Sequence, residues 1–180
     1  ERSSAASDVY KRQVFLLSVK GGLRAKEISQ LRWKEVCNSE GDVSDSIKLT
    51  NKSSKGQSGR VIPLNKDLRG NLIELLEHQV RTYPSFDLDT SFVVRTERSP
   101  FTTSQTVVNM FHGWYRKLGL LGCSSHSGRR TFITEASRKI SLVGGSLRDT
   151  HLMVGHKSLQ TTQRYIEADS ESQRKVVDLI

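Results

Sequence analysis

The sequence is poor in the residues that staple a chain or carry it across a membrane. It holds two cysteines, Cys37 and Cys123, in 180 residues. That is too few for a disulfide framework and fits a reducing compartment. No apolar run approaches the roughly 18 residues of a membrane span, and residues 1–30 contain no signal-peptide apolar block. Three prolines and 13 glycines without a repeat exclude a collagen-like chain. Several reaction signatures are missing as well: there is no P-loop, no HExxH, no GxSxG and no Cys/His pair at zinc spacing. His151 and His156 stand five apart rather than four, which suits a metal site poorly. Acidic side chains are also scarce, 19 Asp+Glu against 28 Lys+Arg, for a formal net charge of +9. That excess points to a polyanionic partner, with nucleic acid ahead of an anionic membrane surface.

What is present suits one domain, and 35% hydrophobic residues is enough to fill its core. The first residue is Glu rather than Met, and residues 1–8 are expected to be the disordered linker end of a longer protein, with the folded domain over 9–180. Val9, Phe15, Leu16 and Val19 suit a first helix, broken at Gly21-Gly22, and a second runs from about Arg24 to Lys34. Ser46–Thr50 and Arg60–Leu64 read as two strands of a hairpin whose tip, 51–59, is rich in Ser, Gly and Lys. Asn65 caps a third helix carrying Leu68, Leu72, Leu75, Leu76 and Val80, and Ser91–Arg95 is a candidate third strand. Further on, Ser104 is expected to cap a helix burying Val107, Val108, Phe111, Trp114, Tyr115 and Leu118. A helix from Ser127 should bury Phe132, Ala136 and Ile140, and Ser146-Leu147-Arg148-Asp149 has the capping-box form for a short helix ending before Gly155. The expected class is α+β, mostly helical, with one small antiparallel sheet.

Basic residues are concentrated in two places. Residues 46–70 carry Lys48, Lys52, Lys55, Arg60, Lys66 and Arg69 against Asp67 alone, and 126–165 carry seven basic side chains against Glu135 and Asp149. If these segments share a face, a nucleic-acid backbone would lie on it. They also hold a set of motifs in a definite order: Gly22-Leu23-Arg24 with Glu27, then a Lys-bearing hairpin ending Arg60-Val61-Ile62-Pro63-Leu64, then His126-Ser127-Gly128-Arg129, Gly155-His156 and finally Tyr165. In this order, and with nine residues from His156 to Tyr165, the chain resembles the catalytic domain of the tyrosine recombinases, the phage-integrase family. The resemblance covers about residues 9–170. Gly128 departs from it, standing where the family more often has a bulkier apolar residue, and so does Lys20-Gly21, where an apolar residue and Thr are usual.

The resemblance implies a site-specific DNA recombinase that cuts and rejoins strands through a covalent 3′-phosphotyrosyl intermediate, without metal, ATP or other cofactor. It makes Tyr165 the nucleophile, Arg24 and Arg129 the phosphate-binding arginines, His126 and His156 their partners, and Glu27 the brace. Lys55 is the hairpin lysine, eight residues before Pro63, with Lys52 the competing choice. Lys52, Lys55, Arg60, Arg130, Lys157 and Arg164 are the expected DNA contacts. The resemblance further implies double-stranded DNA as the partner, a tetramer on two paired sites, accessory DNA-bending proteins, and a cytoplasmic place at the nucleoid. An N-terminal core-binding domain is expected to be absent from this chain. The tail 166–180 resembles the segment such proteins pass to a neighbouring protomer, and its apolar end, Val176 to Ile180, docks there or folds back in cis. The chemistry is physically coherent. Guanidiniums offer forked donors to a phosphate, imidazoles donate or take a proton near neutral pH, and a phenol becomes a competent nucleophile in a cationic pocket. A DNA-binding module without turnover would use the same basic faces but would not need Tyr165, His126 and Arg129 together. A type IB topoisomerase-like enzyme would share the tyrosine chemistry without site preference. Covalent adduct formation separates off the first and sequence dependence the second.

Overall fold

The structure, a computed structural model, describes residues 2–50, 59–96, 99–166 and 170–178. Eight α-helices and a two-stranded antiparallel sheet make up the regular structure among these residues. Helix α1 spans Arg2–Val19, so residues 2–8 are helical rather than a disordered end. That stretch has no Pro or Gly and contains Ala5-Ala6, so nothing in it opposes extension of the helix by a further two turns. Val14 and Leu17 anchor α1 in the core, and it packs against α2 (Ala25–Gln30), α3 (Lys66–Thr82) and α5 (Ser127–Lys139).

The second predicted helix is shorter than expected. It stops at Gln30, and a 3-10 turn takes over at Trp33–Glu35. Trp33 is fully buried and its indole N–H donates to Gln79 Oε1 on α3 at 3.0 Å; Gln79 in turn donates to the Val93 carbonyl at 2.9 Å. Strands β1 (Ser46–Leu49) and β2 (Arg60–Pro63) pair with Ile47 opposite Ile62 and Leu49 opposite Arg60. The hairpin tip, with Lys52 and Lys55, lies outside the described residues. The third strand does not form: Phe92 makes one isolated bridge to Arg32, because the partner segment turns into the 3-10 helix at Trp33 and offers no further extended backbone.

Asn65 caps α3 as expected, its side chain accepting from the N–H groups of Asp67 and Leu68. Helix α4 (Ser104–Lys117) is capped one residue earlier than expected, by Thr103, and buries Val107, Phe111 and Tyr115, while Leu118 is exposed. Helix α6 (Leu147–Val154) starts on the Ser146–Asp149 box and ends at Gly155 with φ +64°. Short helix α7 (Leu159–Gln163) follows, then α8 (Ser170–Val177). Of the apolar tail end, 179–180 fall outside the described residues.

The inward face of α5 is the clearest departure from expectation. Gly128, Arg129, Ile133 and Ser137 are buried, not the Phe132, Ala136 and Ile140 stripe. The face is set by Arg129, which the interior holds by hydrogen bonds, and by Gly128, where a β-carbon would lie 2.5 Å from Ser18 Oγ of α1. Apolar periodicity misleads when a cation occupies the inside position. Phe132 instead covers Gly22, whose backbone has φ +64° and no room for a side chain against that ring.

Candidate active site

Glu27, on α2, is the hub. Its carboxylate is 1% exposed and collects four N–H donors. Arg24 gives its backbone N–H to Oε2 and its Nη1 to Oε1, each at 2.8 Å. Arg60 gives Nη1 to Oε1 at 2.8 Å and Nη2 to Oε2 at 2.9 Å. Burial alone would raise the carboxyl; the hydrogen bonds and charges of Arg60, then of Arg24, outweigh it and hold the group down at about 2. Arg60 was expected among the DNA contacts. It is turned inward, 7% exposed, because strand alternation puts it on the same face as buried Ile62. Its aliphatic stem runs under Gly155, where a β-carbon would sit 2.7 Å from Arg60 Cδ.

Arg129 is 4% exposed and, among the described residues, forms no ion pair with a carboxylate. Nη1 donates to the Gly22 carbonyl and Nη2 to the Val154 carbonyl, the latter at 2.8 Å. It thereby ties the turn before Arg24 to the end of α6. Burial and then the charges of Arg24 and Arg60 lower its guanidinium to about 9, still cationic at neutral pH. Three guanidiniums around one carboxylate give this pocket a net double positive charge, which an anion would relieve.

His156 follows Gly155 and stacks on Tyr165, with ring centroids 5.8 Å apart and planes 20° from parallel. Burial, then the charges of Arg129 and Arg24, push the His156 imidazole down to about 4, so it is neutral at pH 7. Tyr165 is half-buried just beyond α7 and close enough to Arg129 to act on its charge. His126 is exposed at the head of α5, its ring capping nothing. Arg130, Lys157 and Arg164 are exposed. The fold therefore gathers Arg24, Glu27, Arg129, His156 and Tyr165 from four separate segments. Among the described residues no cluster of His, Cys, Asp or Glu could hold a metal ion. One site residue escaped the sequence reading: Thr162, fully buried, with Oγ1 2.9 Å from His156 Nδ1. The signal was there in its position three residues before Tyr165.

A sequence model described as the phage integrase family matches residues 2–172. The chain belongs to the phage integrase family. Its curated relatives include the tyrosine recombinase XerC of Proteus mirabilis, 27% identical over 87% of this chain and 47% of that protein. Tyrosine recombinase XerA of Pyrococcus horikoshii is 25% identical over 97% of this chain and 56% of that protein. This integrase-family chain thus spans about half the length of the curated relatives it matches. In structure it resembles a crystallised XerA recombinase, with TM-score 0.70 and 22% identity, over 98% of this chain and 60% of that one. It also resembles the Tn1549 transposon integrase solved in complex with a circular intermediate DNA, with TM-score 0.69 and 18% identity, over 97% of this chain and 59% of that one. At these identities the two structures establish the fold: the mostly helical domain with one small two-stranded sheet is that of an integrase-family catalytic domain.

Proposed function

We propose that this chain is the catalytic part of a site-specific DNA recombinase that cleaves and rejoins strands through a 3′-phosphotyrosyl intermediate. The observation that carries the reading is Tyr165 stacked on His156 beside the pocket of Arg24 and Arg129. A phosphodiester carries one negative charge and gains a second as a nucleophile adds to it. A buried pocket of net double positive charge therefore favours the transition state over the ground state, the condition for catalysis.

In the proposed reaction the Tyr165 hydroxyl oxygen attacks the scissile phosphorus and the bond to the 5′ oxygen breaks. His126 takes the phenolic proton, and Lys55 on the hairpin tip, or Lys52 in its place, gives a proton to the departing 5′ oxygen. Arg24, Arg129 and His156 hold the non-bridging oxygens, and Glu27 holds Arg24. Attack by another 5′-hydroxyl reverses the step and reseals the strand, so no metal or ATP enters. Lys52, Lys55, Arg130, Lys157 and Arg164 contact the duplex backbone; Arg60 is removed from that set by its inward position. Assembly as a tetramer on two paired sites, a core-binding domain closing around the duplex, and a cytoplasmic setting at the nucleoid belong to the same reading. Accessory DNA-bending proteins and exchange of the tail between protomers belong to it as well.

The test is capture of the protein on randomised, nicked duplexes, from which the freed 5′ fragment diffuses away. An SDS-resistant adduct is expected with wild type in the presence of EDTA and none with Tyr165→Phe. An adduct that survives the substitution, or one that needs a metal ion, overturns the mechanism. DNA binding without any adduct favours a regulator built on this fold.

A further inference from the structure

Thr162 stands between two imidazoles. Its hydroxyl, fully buried on α7, is 2.9 Å from Nδ1 of His156 and 3.3 Å from Nδ1 of His151 on α6. A hydroxyl has one proton and two lone pairs. Bonded to both rings, it donates to one and accepts from the other, so the three groups interlock. A neutral ring that accepts the bond at Nδ1 carries its own proton on Nε2, and a neutral ring that donates from Nδ1 keeps a bare Nε2. The same residue also holds the phenol's segment, since its carbonyl accepts the backbone N–H of Tyr165 at 3.1 Å.

We propose that Thr162 donates to His156 and accepts from the Nδ1–H of His151, making Thr162 and His151 positioning residues that lock His156 as a donor from Nε2. This rests on the recombinase reading, in which His156 faces the scissile phosphate. Two features choose the direction. His151 lies in the last turn of α6, where the negative end of the helix favours a ring nitrogen that donates over one that accepts. Burial, then the charges of Arg129 and Arg24, keep the His156 ring neutral, so it has one proton to offer. An anionic phosphate rewards that proton on Nε2, whereas a bare Nε2 lone pair would repel it. Thr162 thus fixes which nitrogen carries the proton, the ring plane that stacks on Tyr165, and the turn that presents Tyr165.

The experiment pairs nitrogen-15 NMR of the histidine side chains with single-turnover capture on nicked duplex. In wild type, His156 should show a protonated Nε2 and an unprotonated Nδ1. Thr162→Val keeps the shape and removes the hydroxyl; it should leave the His156 ring as a mixture of tautomers and slow adduct formation about tenfold, the worth of one hydrogen bond. DNA binding should be unchanged. Thr162→Ser should restore both readouts. His151→Phe, which leaves Thr162 untouched, is the second arm and should shift both in the same direction as the valine. A wild-type His156 protonated on Nδ1 overturns the assignment. So do Val and Ser variants that are equally slow, or variants in which neither readout moves. If wild type forms no adduct, the recombinase reading fails, while the NMR signals still decide the hydrogen-bond direction.

Discussion

Glu27 and Arg60, 33 residues apart in the chain, meet as a two-point ion pair inside the fold, at 2.8 and 2.9 Å. The same carboxylate holds Arg24, so the hairpin strand β2, the α2 helix and the first arginine of the pocket are fixed by one group. The end of α6 joins them, because Gly155 rests on the Arg60 stem.

Arg60 should therefore behave as a structural key rather than a DNA contact. Arg60→Met leaves a buried carboxylate that, among the described residues, keeps an ion pair with Arg24 alone, and breaking such a pair costs roughly 3–5 kcal/mol. Arg60→Lys should recover only part of this, since an ammonium cannot span both carboxylate oxygens. Urea unfolding measures the loss, and a change below about 1 kcal/mol for Arg60→Met would show that Glu27 is not held as described.

Acid should weaken the fold in two stages. His156 titrates near 4 when folded against an ordinary 6.5, so the unfolded chain takes up its proton first. The stability this contributes is complete above pH 6.5 and declines as pH falls toward 4. Glu27 titrates near 2 against an ordinary 4.5, so its contribution is complete above pH 4.5 and is lost on the way down to 2. That second stage amounts to roughly 3 kcal/mol. Thermal midpoints from pH 8 to pH 3 should show both declines. His156→Phe should remove the upper one alone and Glu27→Gln the lower one. A profile that is flat between pH 6.5 and 4 contradicts a neutral, cation-surrounded His156.

The exposed cations should be read by salt. Substituting Gln for Arg130, Lys157 or Arg164 is expected to weaken duplex binding evenly across sequences. Each should reduce the slope of log affinity against log salt by about 0.9, one phosphate contact apiece. Filter-binding titrations across salt concentrations measure this. A variant whose slope stays at the wild-type value removes that side chain from the interface.

Much of the site was legible because its residue types are chemically demanding. Arg, Glu, His and Tyr in one order and spacing are rarely interchangeable, and the hairpin announced itself through alternating Ile47/Leu49 and Arg60/Ile62 positions. The alternation that buries Ile62 also buries Arg60, so that residue's inward place could have been inferred. The inward face of α5 could not be read from apolar periodicity, because Arg129 occupies it and finds its partners in Gly22 and Val154. The helical start at residues 2–8 was missed for a simpler reason: small polar residues look like a linker, yet they oppose a helix only weakly when the turns beyond them are packed.

The sequence by itself determined the chemistry available, the α+β class, the hairpin and the order of the motifs, because these depend on residue type and short-range period. Only the tertiary structure decided which charges meet. Arg129 reaches a carbonyl 107 residues away, Arg60 a carboxylate 33 residues away, and the Thr162 hydroxyl two rings at once. Such contacts depend on where the packed core brings distant segments together. They set the pocket's charge, the proton on His156 and the seat of Tyr165, none of which any local stretch of chain specifies.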